Sequence, residues 1–159
     1  HKIGAYAFWI VCKDVRIKQA GLLKKVSDQN VAEMMALANA LVALVKSKFT
    51  GVTGLIINID AFTYITPRVN DKQPKGSPGR VVYDTLQLVK QKYNISGKPN
   101  LKMTNWYEFR HIKAHSGLGE LRSPRQFVND WCDKNAKLVM REEVKRITGK
   151  SDDDNAPVA

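Results

Sequence analysis

The stretch HIKAHSGLGELRSPRQFVNDWCDKNAK, from His111 to Lys137, decides how the chain is read. The residues leading into it, YEFRHI, read as a short strand that runs straight into Lys113-Ala114-His115-Ser116-Gly117. A polar loop follows, and a helix is expected to open near Ser123-Pro124, with Asn129, Asp130 and Asp133 early in its course. A strand therefore delivers a histidine, a glycine-containing turn follows, and a helix returns a carboxylate.

Outward from this stretch, the chain alternates strands and helices. Gly4 to Val11, GAYAFWIV, is aromatic and β-branched and reads as a strand; Lys13-Asp14 is a turn, and Val15 to Val26 is a second strand, with Ala20-Gly21 a candidate bulge. Ser27-Asp28-Gln29-Asn30 is a helix-start cluster. Apolar residues then recur at Met34, Leu37, Ala38, Leu41, Val42 and Val45, the spacing of a helix with a wide apolar face. Gly54 to Ile59, GLIINI, is a short apolar run of the kind found in buried parallel strands, with Asp60 at its end. Thr66 to Arg80, with three prolines and two glycines, reads as a mobile loop, and Val81 to Tyr93 as a second amphipathic helix. The last helix is expected to reach Ile147. The order is β-β-α-β-α-β-α, which points to a layered α/β domain.

A chain of 159 residues is enough for one domain with its own core. Its 26 Lys and Arg against 15 Asp and Glu leave a net charge of +11, so a polyanionic partner, nucleic acid first, is expected. Cys12 and Cys132 are too few for a disulfide framework or a cysteine zinc site and read as buried thiols. No stretch approaches the roughly 20 apolar residues of a membrane span, and no signal-peptide pattern is visible. The expected setting is the cytoplasm or another reducing intracellular compartment, without a membrane partner.

Three carboxylates stand out by position. Glu33 is expected in the first turn of the first helix, Asp60 ends an apolar strand, and Asp133 lies early in the last helix. Ligands of open α/β sheets gather at strand ends, so the three can converge. Each also has a plainer reading: Asn30-Val31-Ala32-Glu33 fits a capping box, Asp60 suits a turn, and Asp133 suits a solvated helix face. Carboxylates that converge repel one another unless cations sit between them, and their hard oxygens suit Mg²⁺ or Mn²⁺.

Together these residues resemble the ribonuclease H family. There a strand ends in Lys/Pro-Gly-His-Ser/Ala-Gly and the next helix carries Asn-x-x-x-Asp; here His115-Ser116-Gly117 precedes Asn129 and Asp133. Glu33 within NVAEMMALANALVAL is similar to the family's helix glutamate. Asp60 within IINIDAFTYI is similar to its third carboxylate, with Ala61 where the family usually has Ser. Asp133 is similar to the fourth, and His115 to the loop histidine that assists proton transfer or product release. The resemblance covers about residues 4 to 140.

The resemblance implies a ribonuclease H-like α/β domain over residues 1–150: a mixed sheet, antiparallel hairpin plus parallel strands, flanked by helices. A disordered acidic and polar tail is expected over 151–159. It implies a metal-dependent endonuclease that cuts the RNA strand of RNA–DNA hybrids, with Glu33, Asp60 and Asp133 binding Mg²⁺ or Mn²⁺ and His115 assisting. Arg68, Lys72, Lys75, Arg80, Arg122 and Arg125 are the candidate phosphate contacts. Two departures stand beside it. The family's first strand, with its Asp-Gly-Ser, has no counterpart, so an apolar strand ending in Asp is expected from an upstream segment or a second chain; Asp14, in a hairpin turn, is a poor substitute. Thr66 to Arg80 also stands where some members carry a basic handle. The alternative expectation is a degenerate, non-catalytic module that binds nucleic acid or protein in a larger assembly, or another nuclease core on the same fold.

Overall fold

The structure, a computed structural model, describes residues 2–95, 105–112 and 124–149. His115, Arg122 and the tail 151–159 lie outside the described residues, as does the side chain of Arg125.

β1 (Lys2–Cys12) and β2 (Val15–Val26) form an antiparallel hairpin through the Lys13-Asp14 turn, where Lys13 takes a φ of 54°. Ala20 and Gly21 pair regularly with Ala7 and Tyr6, so the bulge expected there is absent. The register slips instead where Lys2 and Gly4 meet Val26 and Leu23, beside Lys25 with its φ of 63°. Gly21 has a different reason: a Cβ there would come within 2.8 Å of the Tyr6 ring, which lies over it.

α1 (Gln29–Lys46) starts at the N-cap Asp28, whose side chain accepts a hydrogen bond from the Val31 amide at 3.0 Å. β3 (Gly54–Ile59) follows, then α2 (Phe62–Asn70), α3 (Pro78–Tyr93), β4 (Trp106–His111) and α4 (Pro124–Thr148). α2 corrects the reading of Thr66 to Arg80 as a loop; only 71–77 stay outside helices. What holds α2 is burial: Ile65 and Val69, one turn apart, are 0% and 1% exposed. Pro78 is tolerated because it sits in the first turn of α3, where an amide has no partner to lose.

β3 and β4 pair in parallel from Gly54↔Trp106 to Ile59↔His111. Among the described residues β1 does not pair with β3, so the strands form two two-stranded sheets rather than one mixed sheet. The molecule is α/β, and among the described residues each of the four strands keeps one edge outside its own ladder. α1 joins the two halves. Its Met34, Leu37, Ala38, Leu41 and Leu44 enter the core with Ile57 of β3, Ile65 and Val69 of α2, and Val82, Leu86 and Val89 of α3. Its Val31, Ala32, Met35, Ala36, Ala40 and Ala43 pack on Tyr6, Phe8, Leu23 and Val26 of the hairpin, while Ile10 touches both cores.

The other face of the hairpin meets α4, where Trp9 packs edge-on against Trp131 with ring centroids 5.4 Å apart. Cys12 and Cys132 are free and half-buried rather than buried; burial nonetheless pushes the Cys132 thiol up to about 11. No helix among the described residues is long and apolar enough to cross a membrane.

Candidate active site

β3 delivers Asp60 one residue past its last paired position, and the chain turns at once: the Phe62 amide donates to the Asp60 carbonyl at 2.9 Å. Ala61 then serves as N-cap of α2 without a side chain able to cap it. Its amide is taken by a distant residue instead. Glu33 Oε2 accepts a hydrogen bond from the Ala61 N–H at 2.9 Å, across 28 positions of sequence. Helix α1 is capped by Asp28, so Glu33 does not act as the capping-box acid that Asn30-Val31-Ala32-Glu33 suggested.

The field at Glu33 shows which groups lie near it. Burial pushes its carboxyl above the usual carboxylate range, and the Asp60 carboxylate adds to that rise. The Ala61 amide and the Gln29 side chain pull it back, and Asp133 adds a further upward push. Glu33 of α1 and Asp60 at the end of β3 are thus neighbours, and Asp133 of α4 is near enough to add the smallest of the pushes on Glu33. Asp14 sits exposed in the hairpin turn and contributes nothing to this field.

Proximity is not coordination. Among the described residues no group of three His, Cys, Asp or Glu side chains is placed to hold a metal ion. Glu33 is turned to the Ala61 amide, and exposed Asp133 pairs with Lys137 at 3.0 Å. The donor type suits a hard divalent cation; the arrangement of the three does not enclose one.

The candidate phosphate contacts divide. Arg68 donates to the Tyr64 carbonyl at 2.8 Å and stacks over the Tyr64 ring at 3.8 Å. Arg80 pairs with Asp84 at 2.9 Å and donates to the Gln73 carbonyl. Both are committed within the fold, whereas Lys72 and Lys75 stand exposed between α2 and α3.

Two participants escaped the sequence reading. The Ala61 amide becomes a feature only once α1 is packed beside the end of β3. His111 lies opposite Ile59 in the parallel register, one position before Asp60's level, with its ring 6.0 Å from that of Phe62. The parallel pairing of GLIINI with WYEFRH would have been its signal. A groove of about 350 Å³ near Thr53 and Lys92 lies beyond the opposite end of β3, and the Lys92 ammonium there is already bonded to the Leu44, Val45 and Ser47 carbonyls.

No family model, curated protein or solved structure matches this chain.

Proposed function

We propose that the chain is a ribonuclease H-like, metal-dependent endonuclease acting on the RNA strand of RNA–DNA hybrids. The observation that supports this reading is the pairing of Glu33 with Asp60 at the C-terminal end of β3, with Asp133 of α4 near enough to raise the Glu33 carboxyl further. That end of a strand is where α/β folds place their ligands. The basic balance of the chain, +11, favours a polyanionic substrate.

In this reading the carboxylates of Glu33 and Asp60, with Asp133, supply negative potential at the sheet end. Glu33, held by Ala61, fixes the turn that presents Asp60. Glu33, Asp60 and Asp133 would hold Mg²⁺ or Mn²⁺ only with a further ligand, and the ion would supply Lewis-acid activation of a water. An apolar strand ending in Asp, from another segment or chain, would supply that ligand by pairing with the free edges of β1 and β3. Backbone groups on such edges form a ready template for strand addition.

The test is cleavage of an end-labelled RNA–DNA hybrid with Mg²⁺, compared with the same hybrid in chelator. Metal-dependent cuts confined to the RNA strand support the reading. Binding without cleavage, at any Mg²⁺ or Mn²⁺ concentration, transfers the chain to the second reading, a non-catalytic module.

A further inference from the structure

The hairpin's α4 face carries a cluster that the carboxylate site leaves unused. Strand alternation puts Trp9 and its partner Lys18 on one face, with Val11 and its partner Arg16 next along it. Trp9 packs edge-on against Trp131 and also against Phe127, whose ring centroid is 6.2 Å away. Lys18 Nζ sits 4.3 Å from the Trp9 ring and 5.6 Å from the Trp131 ring. Two indoles therefore hold one ammonium in place by cation–π attraction. Phe127 is 55% exposed and Val11 53%, and Lys13, Arg16 and Lys18 are all exposed around them. The nearest acids in sequence are Asp14, in the hairpin turn, and Asp130, one turn along α4 from Phe127.

An exposed ring beside exposed cations matches the chemistry of an unpaired nucleotide. Every base has a face that stacks on an aromatic side chain, and each phosphate takes a cation. A duplex hides its base faces, so an aromatic platform discriminates for single strands. A protein partner would have to neutralise or desolvate three exposed cations, which the phosphates of a nucleic acid do directly. We propose that Phe127, Lys18 and Arg16 form a docking surface for single-stranded nucleic acid, with a base on Phe127 and phosphates on the two cations. The surface shares α4 with Asp133 but uses none of the three carboxylates, and it would hold an unpaired flank of a nucleic acid bound elsewhere on the chain.

The experiment is fluorescence anisotropy of a labelled oligo(dT) of about 10 nucleotides, titrated with the full chain over a range of salt, beside a blunt duplex of the same length. Phe127→Ala should weaken oligo(dT) binding by about 5- to 150-fold, the loss of one stacked base, and leave duplex binding unchanged. Phe127→Trp should restore it. The double variant Lys18→Ala/Arg16→Ala should flatten the salt dependence by about 0.7 in log–log slope for each cation removed. Wild-type affinity and slope in both variants overturns the proposal, and so does equal loss on duplex and single strand. Sedimentation of the same proteins adds one more outcome: self-association lost in Phe127→Ala, without oligo(dT) binding, would make the surface a protein contact and overturn it too. Hybrid cleavage measured on the same variants keeps the two proposals apart, since loss of oligo(dT) binding with cleavage intact, or the reverse, identifies which one fails.

Discussion

Glu33 Oε2 accepts the Ala61 amide at 2.9 Å, and this one bond ties the second turn of α1 to the residue that follows Asp60. A carboxylate raised by burial and by Asp60 is therefore also the anchor of the turn presenting Asp60. The two roles pull against each other as pH changes.

Replacing Glu33 by Gln separates them. A carboxyl whose pKa is raised on folding favours the fold most when protonated, and that contribution is lost as pH rises through the folded-state value. Ionised Glu33 thus weakens the fold above its ordinary value of 4.5. Gln keeps an oxygen for the Ala61 amide and carries no charge. E33Q should melt at the same or a higher temperature than wild type at pH 7, with the difference vanishing below about pH 4. Thermal melts from pH 3 to 8 decide it; a lower melting temperature for E33Q at pH 7 only would contradict the assigned sign.

Asp60→Asn removes the second-largest cause of the Glu33 rise. The Glu33 carboxyl should then titrate at lower pH, measured by carboxyl-carbon NMR. Under the proposed activity the same variant should lose hybrid cleavage while binding hybrid as well or more tightly, because a negative charge near phosphate is gone. Full cleavage by D60N would show that the catalytic group lies elsewhere.

Lys92 closes the C-terminal end of α1 from outside. Its ammonium donates to the carbonyls of Leu44, Val45 and Ser47 at 3.2, 2.8 and 2.6 Å, where the helix dipole is negative. Lys92→Met keeps most of the stem and loses the charge. A cost of about 0.5–1 kcal/mol is expected, given the exposure of the side chain. Urea unfolding in low and high salt measures it, and the difference should shrink as salt rises.

The edges of β1 and β3 that face away from β2 and β4 have no strand partner among the described residues. Their outward amides should exchange with solvent deuterium faster than the amides inside either ladder. Uniformly slow exchange along both strands would mean that something already pairs with them, and would remove the slot proposed for a completing strand.

The legible parts of the sequence were those where one local signal was enough. Val15–Val26 and Gly54–Ile59 appear with the bounds their residues suggested, since each is a β-rich run closed by turn residues. Glu33, Asp60 and Asp133 could be picked out by their positions in the sequence; the fold sets Asp60 beside Glu33, and the three form no metal cage among the described residues. α2 was not legible because Pro67 and the three Thr and Tyr residues before it argue against a helix locally. Its evidence is non-local: Ile65 and Val69, on one face of the helix, are buried in a core that includes Val82, Leu86 and Val89 of α3. The separation of the two sheets was equally hidden, since strand partners are chosen in three dimensions.

The hairpin side of α1 is lined by Ala32, Ala36, Ala40 and Ala43, so single methyl groups set how near the helix axis lies to the sheet. That clearance is a mechanical constraint on the whole molecule, because the opposite side of the same helix is wedged against Leu86 and Val89. A bulkier residue at Ala36 or Ala40 cannot be absorbed by moving the helix away. The hairpin itself must lift, at an overpacking cost of about 1–3 kcal/mol, and with it the distance between the free edges of β1 and β3 must change. Four alanines on one helix thus gauge the width of the opening between the two strand pairs.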